Sequence, residues 1–210
     1  MTRIKPFLVT FLFLFTLSAC GITQELDQSV TVTKNINQQL KEEKATISSL
    51  NTLIENFSTT YDKDIHEKKI TNILGNETSS LNKSYEEREK LLSTLKKDNK
   101  LIKSYNKELK SIISKKAVDV DNTKLVSIQG SLEIIINNIE SLQLYIETSL
   151  SQEKELYDDV ANETADALFS AIDRANGATL IVTNETLQNI SYTTKLINDY
   201  QRSVPVNHNK

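Results

Sequence analysis

Leu125-Val126-Ser127-Ile128-Gln129-Gly130-Ser131-Leu132-Glu133-Ile134-Ile135-Ile136-Asn137-Asn138-Ile139-Glu140-Ser141-Leu142-Gln143-Leu144-Tyr145-Ile146 sets Leu125, Ile128, Leu132, Ile135, Ile139, Leu142 and Ile146 at intervals that alternate between three and four. Seven residues make nearly two turns of an α-helix, so these side chains share one stripe. A strand cannot use the pattern, because its faces alternate every second residue. The stripe predicts a long helix that opens near Thr123 and buries one seam. The same reading carries it on through Leu156, Val160, Leu168 and Ile172 to a break at Asn176-Gly177.

Working outward, the rest of the chain reads in the same way. From Leu26 a seven-residue frame holds Leu26, Thr33, Leu40, Ile47, Ile54 and Tyr61, with Ile36, Leu50 and Phe57 at the second core position and lapses at Ser29, Glu43 and Asp64. It stops at Leu74-Gly75-Asn76, where glycine suits a C-terminal cap and asparagine an N-cap. A second segment, Glu77 to Lys116, carries Leu81, Tyr85, Leu92, Leu95, Ile102, Leu109 and Ile113, interrupted by Arg88, Asn99 and Asn106. Residues 118–123 read as a connection. A final, shorter segment from Thr179 to Gln201 offers Leu180, Leu187, Ile190, Leu196, Ile197 and Tyr200.

No proline falls between Phe7 and Val204, so nothing forbids helices of 40 to 50 residues, about 60 to 75 Å long at 1.5 Å per residue. The expected fold is all-α: an elongated, antiparallel up-and-down bundle of three long helices and a shorter fourth, with coiled-coil-like packing. A thick globular core is not expected. Tryptophan is absent, and Phe57 and Phe169 are the only phenylalanines beyond residue 15.

The N-terminus sets the expected location. Arg3 and Lys5 precede an eleven-residue apolar run, Phe7 to Leu17, and small residues lead into the chain's single cysteine. That is the pattern of a secretory signal. Leu17-Ser18-Ala19-Cys20 resembles the lipobox of bacterial lipoproteins. The resemblance implies cleavage before Cys20 and a diacylglyceryl group on its thiol, which anchors the protein to the membrane on its extracytoplasmic face. The run is shorter than the roughly 20 residues needed to span hydrocarbon, which weighs against an uncleaved anchor. Residues 1–19 thus read as signal peptide, 20–25 as a lipid-anchored tether, 26–201 as the bundle and 202–210 as a polar tail.

Removal of residues 1–19 takes away two bases and no acid, moving the formal net charge from −3 to −5. A mildly acidic surface has no general attraction for nucleic acid or for anionic wall polymer, so such contact must be local. The local candidate is Lys96, Lys100, Lys103, Lys107 and Lys110, spaced by fours and threes along one helix flank. One role is an electrostatic strip for phosphate-bearing polymer. The other is helix pairing, because Glu133, Glu140 and Glu147 recur every seven residues on the next helix. Charge alternation of this kind favours pairing.

Other sites are weaker. Asp119, Asp121 and Asn122 begin like a calcium loop, but Lys124 stands where the turn glycine belongs and Gly130 where the bidentate acid belongs. His66 and His208 have no metal-like spacing, and a single cysteine excludes an intrachain disulfide. Six Asn-x-Ser/Thr triplets are expected by chance in so Asn/Ser/Thr-rich a chain. Asp158-Asp159 and Glu153/Glu155 are acids on a helix, without the facing geometry that glycoside cleavage needs. No phosphate loop or nucleophile elbow occurs, so neither an enzyme nor a cofactor or metal is expected.

Ser84-Tyr85-Glu86-Glu87-Arg88 and Gln152-Glu153-Lys154-Glu155-Leu156-Tyr157, with the lipobox and the proline-free helical body, resemble the YkyA-like family of cell-wall-binding lipoproteins of Gram-positive bacteria. The likeness spans Cys20 to about Gln201 and rests on length, order and helical character, although this chain is richer in asparagine, serine and threonine. It implies a non-enzymatic lipoprotein that contacts cell-wall polymer or another envelope protein, with no catalytic residues to carry over. An accessory subunit of a membrane complex is the alternative, and would leave an apolar helix face exposed. A pore-forming component would need a concealed apolar insertion segment, which the sequence lacks.

Overall fold

The computed structural model describes residues 5–158 and 165–204, with side chains from residue 24 onward. The described residues are almost wholly helical and contain no strand. Helix α1 (Lys5–Glu55) leads through a one-residue interruption at Asn56 into the short α2 (Phe57–Tyr61) and a π-helical turn, Asp62–Glu67. Three further long helices follow: α3 (Ser80–Lys115), α4 (Asn122–Asp158) and α5 (Ala165–Ser203). No described helix is long and apolar enough to cross a membrane. The side chains of Cys20 and of Leu17, Ser18 and Ala19, and Val160 altogether, lie outside the described residues.

The seam from Leu125 to Ile146 is core throughout: Leu125, Ile128, Leu132, Ile135, Ile139 and Leu142 are fully buried and Ile146 nearly so. On α1 the frame is right even where its chemistry lapses, since Ser29, Glu43 and Asp64 are as completely buried as Leu40 and Ile47. Arg88, Asn99 and Asn106 also occupy core positions on α3.

The last helix corrects the expected fourth segment. Asn176-Gly177 does not break the chain but lies inside α5, whose 39 residues make it as long as α3 and α4. Glycine in a helix costs about 1 kcal/mol relative to alanine, and here packing on both sides outweighs it: Asn176 turns inward against Ser149, and Ile172 and Thr179 are buried on either flank. The seam of α5 runs through Ile172, Asn176, Thr179, Thr183, Thr186, Ile190, Thr193, Ile197 and Tyr200. Four threonines can be buried there because the hydroxyls of Thr179, Thr186 and Thr193 donate to carbonyls of their own helix at 2.6 to 2.8 Å, and the one proton of Thr183 serves either the Leu180 carbonyl or Asn51 Oδ1. That leaves the methyl group free to pack.

The turn before α3 is also wider than a hinge at Gly75-Asn76. Gly75 does adopt a left-handed conformation, φ 75°, but Asn76 caps a local turn through Thr78, and the N-cap of α3 is Ser79, three residues later. What fixes the turn is Asp64. Its Oδ2 accepts from the Ser79 hydroxyl and the Leu81 amide, both at 2.9 Å, and Oδ1 meets Lys68 Nζ at 2.7 Å. Burial pushes this carboxyl up, but Lys68, Leu81 and Ser79 together hold it below the usual aspartate range. Asp64→Ala strands the buried Leu81 N–H and is expected to cost about 2 kcal/mol. The measurement is the urea midpoint together with faster hydrogen exchange at Leu81, and an unchanged midpoint would mean the capping knot adds nothing.

Each long helix packs against two others, α1 on α3 and α5, and α4 on α3 and α5. Polar contacts mark the register. Between α3 and α4, Lys96 meets Glu147, Lys103 meets Glu140 and Lys110 meets Glu133. Between α4 and α5, Ser131 meets Thr193 and Ser149 meets Asn176. Ser29 meets Tyr200 and Asn51 meets Thr183 across α1 and α5, and Glu25 meets Lys115 across α1 and α3. In the pairings measured at more than one level, the residue number rises on one helix as it falls on its neighbour.

Candidate functional site

The lysine flank is split by the fold into two sets. Lys96, Lys103 and Lys110, seven apart, each form an ion pair with a glutamate of α4, the last at 2.6 Å. All six side chains remain 41 to 51 % exposed, so each pair is weak and is screened by salt. Lys110 and Gln129 hold the Glu133 carboxyl below its ordinary range. Lys100 and Lys107 are exposed, and neither has a carboxylate partner among the described residues. Lys107 lines a surface cleft of about 340 Å³ with Lys103, Lys110, Asn106, Asn137, Glu133 and Ile136. The Asn106 Oδ1 atom there has no hydrogen-bond partner. A phosphate oxygen in this cleft would meet one unpaired ammonium and two that are already shared.

The larger concentration of polar chemistry is inside the bundle. Arg88 of α3 is 1 % exposed and forms a two-pronged ion pair with the wholly buried Glu153 of α4. The Tyr157 hydroxyl donates to Glu153 Oε2 at 3.1 Å. Ser149 lies 3.2 Å from Glu153 Oε1 and 2.9 Å from Asn176 Oδ1, and its one proton serves either. The guanidinium also stands 5.9 Å from the Phe57 ring centre. Burial and the neighbouring Glu153 charge push the Tyr157 phenol far above its usual range.

This layer divides the core in two. Ile54, Leu92, Leu150 and Ile190 belong to the long apolar cluster, while Phe57, Leu81, Leu156 and Ile172 belong to a smaller one at the far side of Arg88 and Glu153. In the sequence Arg88 appears as an interruption of the seam and Glu153 as a helical acid, and each falls in a motif of the family resemblance, but nothing there pairs them. Their partnership across 65 residues leaves no local signal.

A second buried polar group lies between α1 and α3. Glu43 is fully buried, and neither carboxylate oxygen has a hydrogen-bond partner. Burial first, and then the charge of Asp98, push its carboxyl up to about 8. Asp98, 7 % exposed, is itself pushed up by burial and by Glu42.

Among the described residues no three His, Cys, Asp or Glu side chains are placed to hold a metal ion. Asp119 and Asp121 sit in the α3–α4 turn, where Asp121 caps α4 through the Lys124 amide at 3.1 Å. No family model, curated protein or solved structure matches this chain.

Proposed function

We propose that the chain is a non-enzymatic, lipid-anchored extracytoplasmic protein, tethered through Cys20, whose helices form an antiparallel up-and-down bundle that contacts cell-wall polymer or another envelope protein. The anchor rests on Leu17-Ser18-Ala19-Cys20 behind a short apolar run, and the likeness to YkyA-like cell-wall-binding lipoproteins gives the location its meaning. The opposed numbering of α3 with α4, α4 with α5 and α1 with α5 supports the bundle layout. The observation that carries the polymer reading is Lys107 with Lys100: two exposed cations left over once the other three lysines of the strip are paired with glutamates.

The two sets of lysines therefore divide the work. Lys96, Lys103 and Lys110 set the register of α3 on α4, and Lys100 and Lys107 face phosphate. Lys100→Gln with Lys107→Gln is expected to abolish salt-sensitive sedimentation with purified walls while leaving the melt unchanged, and Cys20→Ala to release the protein from membranes. Undiminished sedimentation of the double variant removes the polymer role, and retention of residues 1–19 in the wild type removes the anchor.

One observation favours the alternative, an accessory subunit acting by helix-to-helix contact. Val126, Ile134, Leu144 and Tyr145 on the outer side of α4 are 50, 49, 60 and 38 % exposed. Cross-linking from this face to one envelope protein, with no wall sedimentation, would select it.

A further inference from the structure

The seam between α1 and α3 holds, among the described residues, the one carboxylate with both oxygens buried and neither hydrogen-bonded. Gln39 Nε2, both Glu43 oxygens and Asn99 Oδ1 are buried there without a hydrogen-bond partner. The apolar contacts that hold the same seam closed come from Leu40, Ile47, Leu95 and Ile102. We propose that Glu43 and Asp98 form a proton-controlled joint in the bundle, closed while the Glu43 carboxyl keeps its proton and loosened when a second carboxylate forms beside Asp98.

The physical basis is the cost of a buried charge without a donor, which far exceeds that of a neutral carboxyl in the same place. The groups around Glu43 supply no counter-charge. On α1, Lys41, Glu42 and Lys44 are exposed, and on α3 Lys97 and Lys100 point outward beside Asp98. At this level α4 turns Leu142 and Ile146 inward, while Glu140 and Glu147 sit outside, paired with Lys103 and Lys96. On α5, Thr186 and Ile190 face in, and Glu185 and Lys195 are exposed.

The sign follows from proton counting. An unfolded glutamate loses its proton near the ordinary 4.5, whereas in the closed bundle Glu43 keeps it to about 8. Between those values the folded state binds more protons, so stability falls as pH rises and levels off once the folded group has ionised. Acid denaturation driven by paired carboxylates has the opposite slope. The joint therefore favours the closed bundle in mildly acidic surroundings and loosens it in alkaline ones.

The test is urea unfolding of the full chain from about pH 5 to about pH 9, comparing wild type with Glu43→Gln, Glu42→Gln and Asp98→Asn. The wild-type folding constant is expected to drop by up to about tenfold per pH unit within the window, the limit for one proton. Glu43→Gln should be flat there and more stable than wild type at the alkaline end. Glu42→Gln should keep the slope, and Asp98→Asn should move it to lower pH. Hydrogen exchange, corrected for its intrinsic pH dependence, should place the alkaline opening at residues 36–50 and 92–106. Equal slopes in wild type and Glu43→Gln overturn the proposal, as does opening spread evenly over α4 and α5. Restoration of alkaline stability by calcium also overturns it, because the pair would then hold a cation in place of the proton.

Discussion

Arg88→Met is expected to lower the unfolding free energy by about 3 to 5 kcal/mol, the cost of leaving a buried carboxylate without its partner. The reason lies in what surrounds Glu153: with the guanidinium gone, it keeps only Tyr157 and a share of Ser149 as donors, in a place with no access to water. Glu153→Leu alone should cost a similar amount, because Arg88 then keeps its bond to the Ser84 carbonyl, the Phe57 ring and the neighbouring Tyr157 hydroxyl, but no counter-charge. The double variant is the informative one. Two apolar side chains of similar volume remove both desolvation costs together, so Arg88→Met with Glu153→Leu should recover most of the loss and leave a coupling energy of several kcal/mol. Additive losses in the double variant would show that the two groups do not depend on each other. The layer also separates two apolar clusters, so the recovered protein should be stable yet less strict in register, seen as broadened amide resonances near Leu92 and Leu156.

That layer shows where sequence reading stops. The period of seven was legible even through its lapses, because burial follows position: Ser29, Glu43, Asp64 and Arg88 are core for the same geometric reason as the leucines beside them. Their partners were not legible. Glu153 and Asp64 act on residues reached only after the chain has turned back, and no spacing within one helix encodes that. The ladder of Lys96, Lys103 and Lys110 on Glu147, Glu140 and Glu133 was the exception, since both series repeat every seven residues and can be set against each other before any fold is known.

The break between α4 and α5 was misplaced for a different reason. Asn176-Gly177 has the composition of a helix end, yet it lies inside α5. Asp166 suits a first turn, where the dipole is positive, and agrees with α5 starting at Ala165. Asp158 stands at the end of α4, where the dipole is negative, so charge gives no sign of that end. The threonine seam of α5 is not legible in an apolar pattern, because four of its core positions carry a hydroxyl. Threonine can serve once its hydroxyl is returned to the helix, as at Thr186, where the donor reaches Val182 O at 2.6 Å.

The α4 seam supplies the largest expected loss from a single side chain. Ile139→Asp removes a fully buried side chain and puts a carboxylate among Leu142, Ile135 and their neighbours without a donor. Loss of the apolar contact alone, as in Ile139→Ala, costs about 2 to 5 kcal/mol, and the unpaired charge adds several more. The sum reaches the whole stability of a typical domain, so Ile139→Asp, and equally Ile135→Asp, should leave no cooperative melt at neutral pH. Ile134 provides the control within the same turn of helix. It is 49 % exposed, so Ile134→Asp changes composition identically but should shift stability by no more than about 0.5 kcal/mol. Circular dichroism melts of the three variants decide the matter. Equal effects at 134, 135 and 139 would mean that helix propensity, and not a buried seam, governs α4, whereas loss at 135 and 139 alone ties stability to the three-and-four spacing.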